Sequence, residues 1–429
     1  MMISTTSIGE STSLAHFEEV YKNLHQYPGL SLQETHASET AAKHLKSLCG
    51  FEVTEKIGGY GLIGVLRNGD GKTLLLRADM DALPVKEETK LDYASEETQI
   101  DDDGIEKPVM HACGHDMHVA CLMAAASKLH AHRSSWKGTL VVLFQPNEER
   151  GGGARAMVAD GLYDEEKHNC PIPDVVLGQH VVARPAGQVG VRAGSFMSAS
   201  DSFLVTVYGR GGHASMPHLT IDPVVIASYI VTRLQTIISR EVDPNDTAVV
   251  TVGAVQAGDT ANIIPAQATL KVNIRTYKEE TREKIIGSIH RIVKAECEAG
   301  NSPKEPCIEH TSNLPATVND AATTEHISLA FEKQFGHDFF RNIDRVSASE
   351  DFSILATEAP NKEGGIGVPY CFWNFGGTDP ELWEDASKRG KLDEIPSNHS
   401  PLFAPVIQPT LKIGMEAFVV AAMSYLGSS

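Results

Sequence analysis

Apolar positions along this chain recur with two periods, one of three to four residues and one of two, and the alternation between them marks out its elements. Residues 15–24 and 34–48 carry the helical period, and in the second stretch Ala41, Ala42, Leu45 and Leu48 fall on one face. His25-Gln26-Tyr27-Pro28-Gly29 between them reads as a turn. Strand-like runs follow at 51–57, 61–67 and 73–77, the last almost wholly apolar, as suits a strand buried on both faces. It gives way to Ala78-Asp79-Met80-Asp81-Ala82-Leu83-Pro84, polar groups just past a strand's carboxyl end, where open α/β sheets place their sites.

The residues after His115 read as a buried helix through Val119, Leu122, Met123 and Leu129. Apolar strands are expected at 139–144 and 174–177, running into Gln145-Pro146-Asn147-Glu148-Glu149 and Gly178-Gln179-His180. Three strands therefore deliver ligands or acid/base groups to one end of a sheet. Gly151-Gly152-Gly153 lacks the Lys-Ser/Thr of a phosphate loop and reads as a turn into a helix. From residue 195 the pattern changes to strands at 201–208, 248–254 and 268–277 with helices at 223–238 and 283–299, the order of a small sheet with two helices on one face. Residues 195–311 read as an inserted α+β domain. Residues 1–194 and 312–429, with helices at 321–335 and 409–426, form one discontinuous domain. The expected fold class is α/β, with a central mixed sheet flanked by helices.

A length of 429 residues agrees with two domains. The formal net charge of −19 argues against nucleic acid and anionic membranes as partners, since both demand a basic surface. No apolar run approaches the ~20 residues of a membrane span, and residues 1–13, rich in Ser and Thr, lack the pattern of a secretory leader. Seven cysteines without framework spacing read as reduced thiols, and the expected location is cytoplasmic.

The chemistry is densest at His111-Ala112-Cys113-Gly114-His115-Asp116-Met117-His118. Thiol and imidazole are the ligands a borderline-soft cation prefers, and a carboxylate can orient a ligating His. No Cys-x-x-Cys or distant matching pair accompanies them, which favours an open catalytic site over a closed structural one. A His-rich buried loop is the bland alternative. A Cys113–His nucleophile is the weaker catalytic reading, because the neighbours look like ligands.

These stretches together match a known family. Leu24-His25, Gly29 to Glu34, Arg77 to Pro84, Met110 to His118, Gln145 to Glu149, Gly212-His213-Ala214-Ser215, Ala261-Asn262-Ile263-Ile264-Pro265, Arg275-Thr276, Ser349-Glu350-Asp351-Phe352 and Asn398-His399-Ser400-Pro401-Leu402-Phe403 resemble, in order, the M20 metallopeptidases. The likeness is to the branch of aminoacylases, hippurate hydrolases and indole-acetyl-amino-acid hydrolases. Asn147, Gln179 and Asn398 depart from the residues usual there, Ala, Leu or Ile, and Leu or Met respectively.

The resemblance implies a dinuclear site held by Cys113, His115, Glu149, His180 and His399, with Zn2+ foremost and Mn2+, Co2+ or Ni2+ as alternatives. It implies hydrolysis of the amide bond of N-acyl amino acids, or similar carboxylate-bearing amides, by a metal-activated water with Glu148 as general base. Asp81 would orient a ligand or Glu148, with Asp79 and Asp116 acting likewise, although strand-end aspartates also serve as plain turn residues. His118, one turn after His115, reads as support rather than ligand. His213 would donate to the oxyanion, in relatives from the other subunit, and Asn262 and Arg275 would bind the substrate carboxylate. The inserted domain would be a lid and dimerisation domain, giving a homodimer. A dipeptidase or exopeptidase on the same scaffold, or a non-catalytic binding protein, are the alternatives. Phe372-Trp373-Asn374-Phe375 suits an acyl pocket or the core equally.

Overall fold

A computed structural model describes residues 14–427 of the chain. The Ser/Thr-rich segment read as a loose start without a secretory leader, residues 1–13, lies outside them. The chain divides into two compact units, residues 1–194, 319–344 and 351–429 in one and residues 195–318 and 345–350 in the other.

The first unit is built on an eight-stranded mixed sheet. Its order is Phe51–Ile57, Gly61–Asn68, Gly138–Gln145, Thr73–Asp79, Val175–Pro185, Tyr370–Thr378, Val189–Val191 and Phe339–Arg341. The central strands Gly138–Gln145, Thr73–Asp79, Val175–Pro185 and Tyr370–Thr378 run parallel, so their carboxyl ends share one edge. All seven residues of Thr73–Asp79 and all nine of Tyr370–Thr378 are buried, as strands covered on both faces require. The helix His115–Ala131 packs against Leu14–Gln26 and Ile407–Leu426 on one face of this sheet, and its apolar residues are buried all round. Full burial of each such Leu, Phe or Met stabilises the fold by about 1.5–3 kcal/mol.

One expectation is corrected here, and one choice left open between pocket and core is narrowed. The strand foreseen at 174–177 runs on to Pro185, because Tyr370–Thr378 pairs along it from Tyr370↔Val176 through Gly376↔Val182. His180 thus projects from inside a strand, level with the point where Thr73–Asp79 stops. The aromatic run Phe372 to Phe375 is a central strand whose Trp373 and Phe375 are core residues. Trp373 meets Phe331 and Phe418 edge to face, and its Nε1 donates to Gln179 Oε1 at 3.0 Å. Gln179 donates its amide N–H to the Gly414 carbonyl at 3.0 Å, so its buried carboxamide is bonded at both ends.

The second unit is a four-stranded antiparallel sheet ordered Ala248–Gln256, Gln267–Thr276, Ala199–Tyr208 and Cys307–Leu314. The expected boundary at 311 cuts its last strand. Cys307–Leu314 pairs with Ala199–Tyr208, and the unit continues to Val318 and takes in residues 345–350. Phe203, Val205 and Val207 alternate into a core shared with Ile226, Ile230 and Leu234 of helix Pro223–Thr236 and Ile285, Ile289 and Val293 of helix Glu279–Ala299. Asp222 caps the first helix by accepting from Val224 N–H. Asp201, fully buried, takes a bidentate pair of 2.7 Å bonds from Arg282. No helix among the described residues is long and apolar enough to cross a membrane, and all seven cysteines are free.

Trp373→Phe would leave Gln179 Oε1 without its donor while keeping most of the aromatic volume. The expected cost is about 1–3 kcal/mol, read as a lower urea midpoint with an unchanged slope.

Candidate metal centre

The site is assembled at the carboxyl edge of the large sheet. Past the strand Thr73–Asp79, the Asp81 carboxylate accepts from Ser31 Oγ at 2.6 Å and from Glu149 N–H at 2.9 Å, joining two strand ends. After Gly138–Gln145 the chain reverses through Asn147 at φ +53°, a left-handed conformation that Asn tolerates better than the Ala usual there. Asn147 N–H donates to Glu34 Oε1 at 2.8 Å. The reversal closes tightly on Gly153, where a Cβ would lie 1.6 Å from the Pro146 carbonyl oxygen. The turn leaves Glu148 and Glu149 adjacent and nearly buried.

Cys113 and His115 flank Gly114, which takes φ +82° and has no room for a Cβ beside Val181. His399 enters from the far end of the chain, its N–H donating to the Ala112 carbonyl at 2.7 Å. Asn398, the other departure next to a ligand, donates to the carbonyls of Val181 at 3.1 Å and Cys113 at 3.2 Å. It thus ties the Cys113 loop to the strand bearing His180.

The five expected ligands come together. Cys113 Sγ is 3.5 Å from His180 Nε2, His115 Nε2 is 3.7 Å from Glu149 Oε1, and His399 Nε2 is 3.4 Å from Glu149 Oε2. Cys113, His115 and Glu149 offer ligand atoms all within 4.8 Å of one another. Glu148 Oε2 lies 3.9 Å from His115 Nε2. Asp81 Oδ1 sits 3.3 Å from His115 Nδ1, so Asp81 faces the ring from behind while Nε2 faces the glutamates.

Burial pushes the Glu149 carboxyl up to about 7 against the pull of His115, and pushes the Cys113 thiol well up, with Glu149 and Glu148 adding to it. Burial opposes charge on His115 as well, yet Asp79, Asp81 and Glu149 hold its pKa at about 10. His115 Nε2 and Glu149 Oε1 are buried without a hydrogen-bond partner, while His115 Nδ1 and Asp81 Oδ1 face only each other at 3.3 Å. Orphaned buried acceptors of this kind are costly unless a cation meets them. A thiol, three imidazoles and a carboxylate converging with unpaired donor atoms fit divalent metal.

The neighbours sort themselves by their bonds. His118 Nε2 accepts from Val181 N–H at 2.8 Å and Nδ1 contacts Asp79 Oδ1 at 2.5 Å, so both nitrogens are spent and His118 is a support. Asp79 is in turn held at 2.7 Å by Arg77, a fully buried guanidinium that also bonds Gln145 Oε1 at 2.9 Å. Asp116 turns away from the ligands. It bonds His25 at 2.6 Å, and His25 bonds Glu87 at 3.0 Å, which keeps this imidazole charged with a pKa of about 9 despite burial. Sequence reading gave no role to Arg77, Glu34 and His25, although all three lie in stretches that carry the family resemblance, and it did not single out Glu87.

The remaining expected residues lie in the second unit. His213 pairs with Ile263 in a two-residue ladder, beside Asn262, whose carbonyl accepts from Ala214 N–H at 3.1 Å. Ser215 N–H donates to His213 Nδ1 at 3.1 Å, so the neutral ring carries its proton on Nε2, exposed. Arg275 bonds Ser349 Oγ at 2.7 Å and Asn273 Oδ1 at 3.0 Å. It stands near the far end of Gln267–Thr276, and eight residues at ~3.3 Å each put it roughly 26 Å along the strand from Gln267. The strand therefore does not bring Arg275 to the His213–Asn262 ladder.

A sequence model of Peptidase family M20/M25/M40 matches residues 75–382. The chain belongs to this family. It is a metal-dependent hydrolase of amide or peptide bonds. The hippurate hydrolase of Campylobacter jejuni is 39% identical over 344 residues, covering 79% of this chain and 84% of that one. A putative aminohydrolase from methicillin-resistant Staphylococcus aureus matches with a TM-score of 0.81 at 31% identity over 96% of both chains. The Bacillus subtilis YXEP protein, described as a dinuclear metal binding peptidase from the M20 family, matches with a TM-score of 0.72 at 26% identity, covering 95% of this chain and 97% of that one.

The shifts fix the sign of two pH effects. Glu149 at about 7 and His115 at about 10 must both lose protons to ligate, so metal affinity rises with pH and binding at pH 7 releases protons. Calorimetric metal titrations in buffers of different ionisation enthalpy read that release. In metal-free protein, stability from His115 and His25 is complete below their unfolded value of 6.5 and is lost as pH rises through about 10 and about 9. The raised Glu149 and Glu34, both at about 7, also favour the folded state less as pH climbs. The lowered histidines His44, His111 and His180 are neutral in both states above pH 7 and add no slope. The melting temperature of chelator-treated protein should fall from pH 7 to 9.

Proposed function

We propose that this enzyme hydrolyses N-acyl amino acids to a carboxylic acid and an amino acid, using two divalent ions held by Cys113, His115, Glu149, His180 and His399. The convergence of these five side chains beside Glu148 carries the reading. Two such cations would supply Lewis acidity to polarise the scissile carbonyl and to acidify a water. A thiol and three imidazoles favour Zn2+, with Mn2+, Co2+ or Ni2+ as substitutes.

Glu148, nearly buried and 3.9 Å from His115, takes the proton of the attacking water and returns it to the leaving nitrogen. Asp81 holds His115 from behind and the Glu149 backbone from the side, keeping the ligand geometry as charge moves. His213, with its proton on the exposed Nε2, suits donation to the oxyanion. Arg275, fixed by Ser349 and Asn273, presents a guanidinium for the substrate carboxylate. Hippurate, the substrate named for one relative, is an N-acyl amino acid of this form. The peptidase name of the Bacillus subtilis neighbour favours a second reading, cleavage of dipeptides on the same scaffold.

The separation of Arg275 from the His213–Asn262 ladder supports sites shared within a homodimer, since one chain does not bring all three to one substrate. Val224, Val225 and Tyr229 of helix Pro223–Thr236 and Val249 and Val255 of the edge strand Ala248–Gln256 are exposed. An apolar edge of this kind is a liability in a lone chain, and a second copy would cover it.

Amine release from N-acyl amino acids and dipeptides, by stripped protein with and without added metal, tests the reading; no metal-restored release from any of them would sink it. Glu148→Gln should keep its metal and lose roughly 10²–10⁴ in turnover. Mixing His213→Ala with Glu148→Gln chains should recover activity as mixed dimers form, and verified mixed dimers without recovery would rule out shared sites.

A further inference from the structure

The catalytic unit holds a cavity of about 280 Å³ walled by residues of and around the strands Val175–Pro185, Val189–Val191, Phe339–Arg341 and Tyr370–Thr378. Asn374 contributes to its lining, together with Val182, Gln188, Phe340 and Ile343, and Arg184 brings an exposed guanidinium. The position is set by register. Asn374 is the direct partner of His180 in the parallel pairing of Tyr370–Thr378 with Val175–Pro185. Side chains of such partners share a face of the sheet, about 4.8 Å apart. The alternation is visible one residue earlier, where the partners Trp373 and Gln179 bond to each other on the opposite face.

Asn374 is 5% exposed, and its carboxamide oxygen has no hydrogen-bond partner among the described residues. A buried amide oxygen left unpaired costs stability, and its natural complement is an N–H donor. Arg184 calls for the opposite group, a carbonyl or other acceptor. A secondary amide offers both, an N–H for Asn374 and a C=O for Arg184, while Val182, Phe340 and Ile343 suit its carbon substituents. The size lies just under that of small-molecule sites and leaves room for one short residue.

We propose that this cavity is the subsite for the acyl half of the substrate and selects acyl groups that carry a second amide, so that acylated dipeptides are preferred over amino acids bearing a plain alkanoyl chain. The inference deepens the amide-hydrolase reading and rests on it. Asn374 is a specificity residue in this account, and Arg184 assists it from the cavity wall.

Binding and turnover separate the two ideas. N-acetylglycylglycine and pentanoylglycine present the same scissile amide, the same carboxylate and acyl chains of the same length, but only the first carries a second amide. Calorimetry on the metal-loaded full-length Glu148→Gln protein, which holds both without cleaving them, should show N-acetylglycylglycine binding about five- to tenfold tighter than pentanoylglycine. Asn374→Leu should bring the ratio to one or reverse it. Arg184→Ala, at an exposed position, should narrow it by weakening N-acetylglycylglycine alone. In turnover, N-acetylglycyl amino acids should exceed pentanoyl amino acids in kcat/KM by a similar factor in the parent and not in Asn374→Leu. A parent ratio near one, or a ratio that survives both substitutions, overturns the subsite. Absence of turnover on every acyl amino acid would overturn the hydrolase reading while the binding ratio still decides what the cavity recognises.

Discussion

Carboxylates, imidazoles and a thiol are held here within a few ångströms of one another, largely out of water, with several of their donor atoms meeting no protein partner. Mutual repulsion and lost hydration would disperse such a group if its backbone were free. It stays together because each member is fixed by something other than its fellow ligands. Asp81 clamps the Glu149 backbone, Asn398 ties the Cys113 loop to Val181, and the Ala112 carbonyl anchors His399. Arg77, with Asp79 and Gln145, neutralises and braces the strand ends beneath. The protein scaffold thus holds together a cluster whose remaining unpaired donor atoms suit cations.

That division of labour explains the chemistry. Residues whose hydrogen-bonding capacity is already spent, such as His118 and Asp116, hold backbone in place, whereas those with atoms to spare face the reaction. The same criterion separates His118 from His115, although both are buried histidines on one helix face.

Much of this was readable in the chain because its signals are local. The apolar runs and the polar residues that end them mark Thr73–Asp79 and Gly138–Gln145 to within two residues, and the cluster from Cys113 to His118 announces its metal chemistry. The alternation of Phe203, Val205 and Val207 marks the inserted sheet. What escaped depends on distance in sequence. Arg77 is accommodated in a largely apolar strand because Asp79, two residues on, is joined by Gln145 and by Asp351, 274 residues away. The strand at Val175–Pro185 outlasts its own apolar run because Tyr370–Thr378 supplies the pairing. The aromatic segment itself gave no period from which to choose between pocket and core. The departures Asn147, Gln179 and Asn398 could be seen but not explained until their partners were known.

The position of Tyr370–Thr378 in the large sheet bears on how the protein is made. It is among the last strands to leave the ribosome, yet it lies between Val175–Pro185 and Val189–Val191, near the middle of the finished sheet. Synthesis therefore leaves that sheet parted along a buried seam until residues 370–378 emerge, at about 5–20 residues per second. The inserted unit has its four strands and two helices in one nearly continuous stretch and is free to fold in the interval. Apolar strand edges on both sides of the gap stand open during that wait, which makes the nascent chain, rather than the finished enzyme, the form most exposed to aggregation.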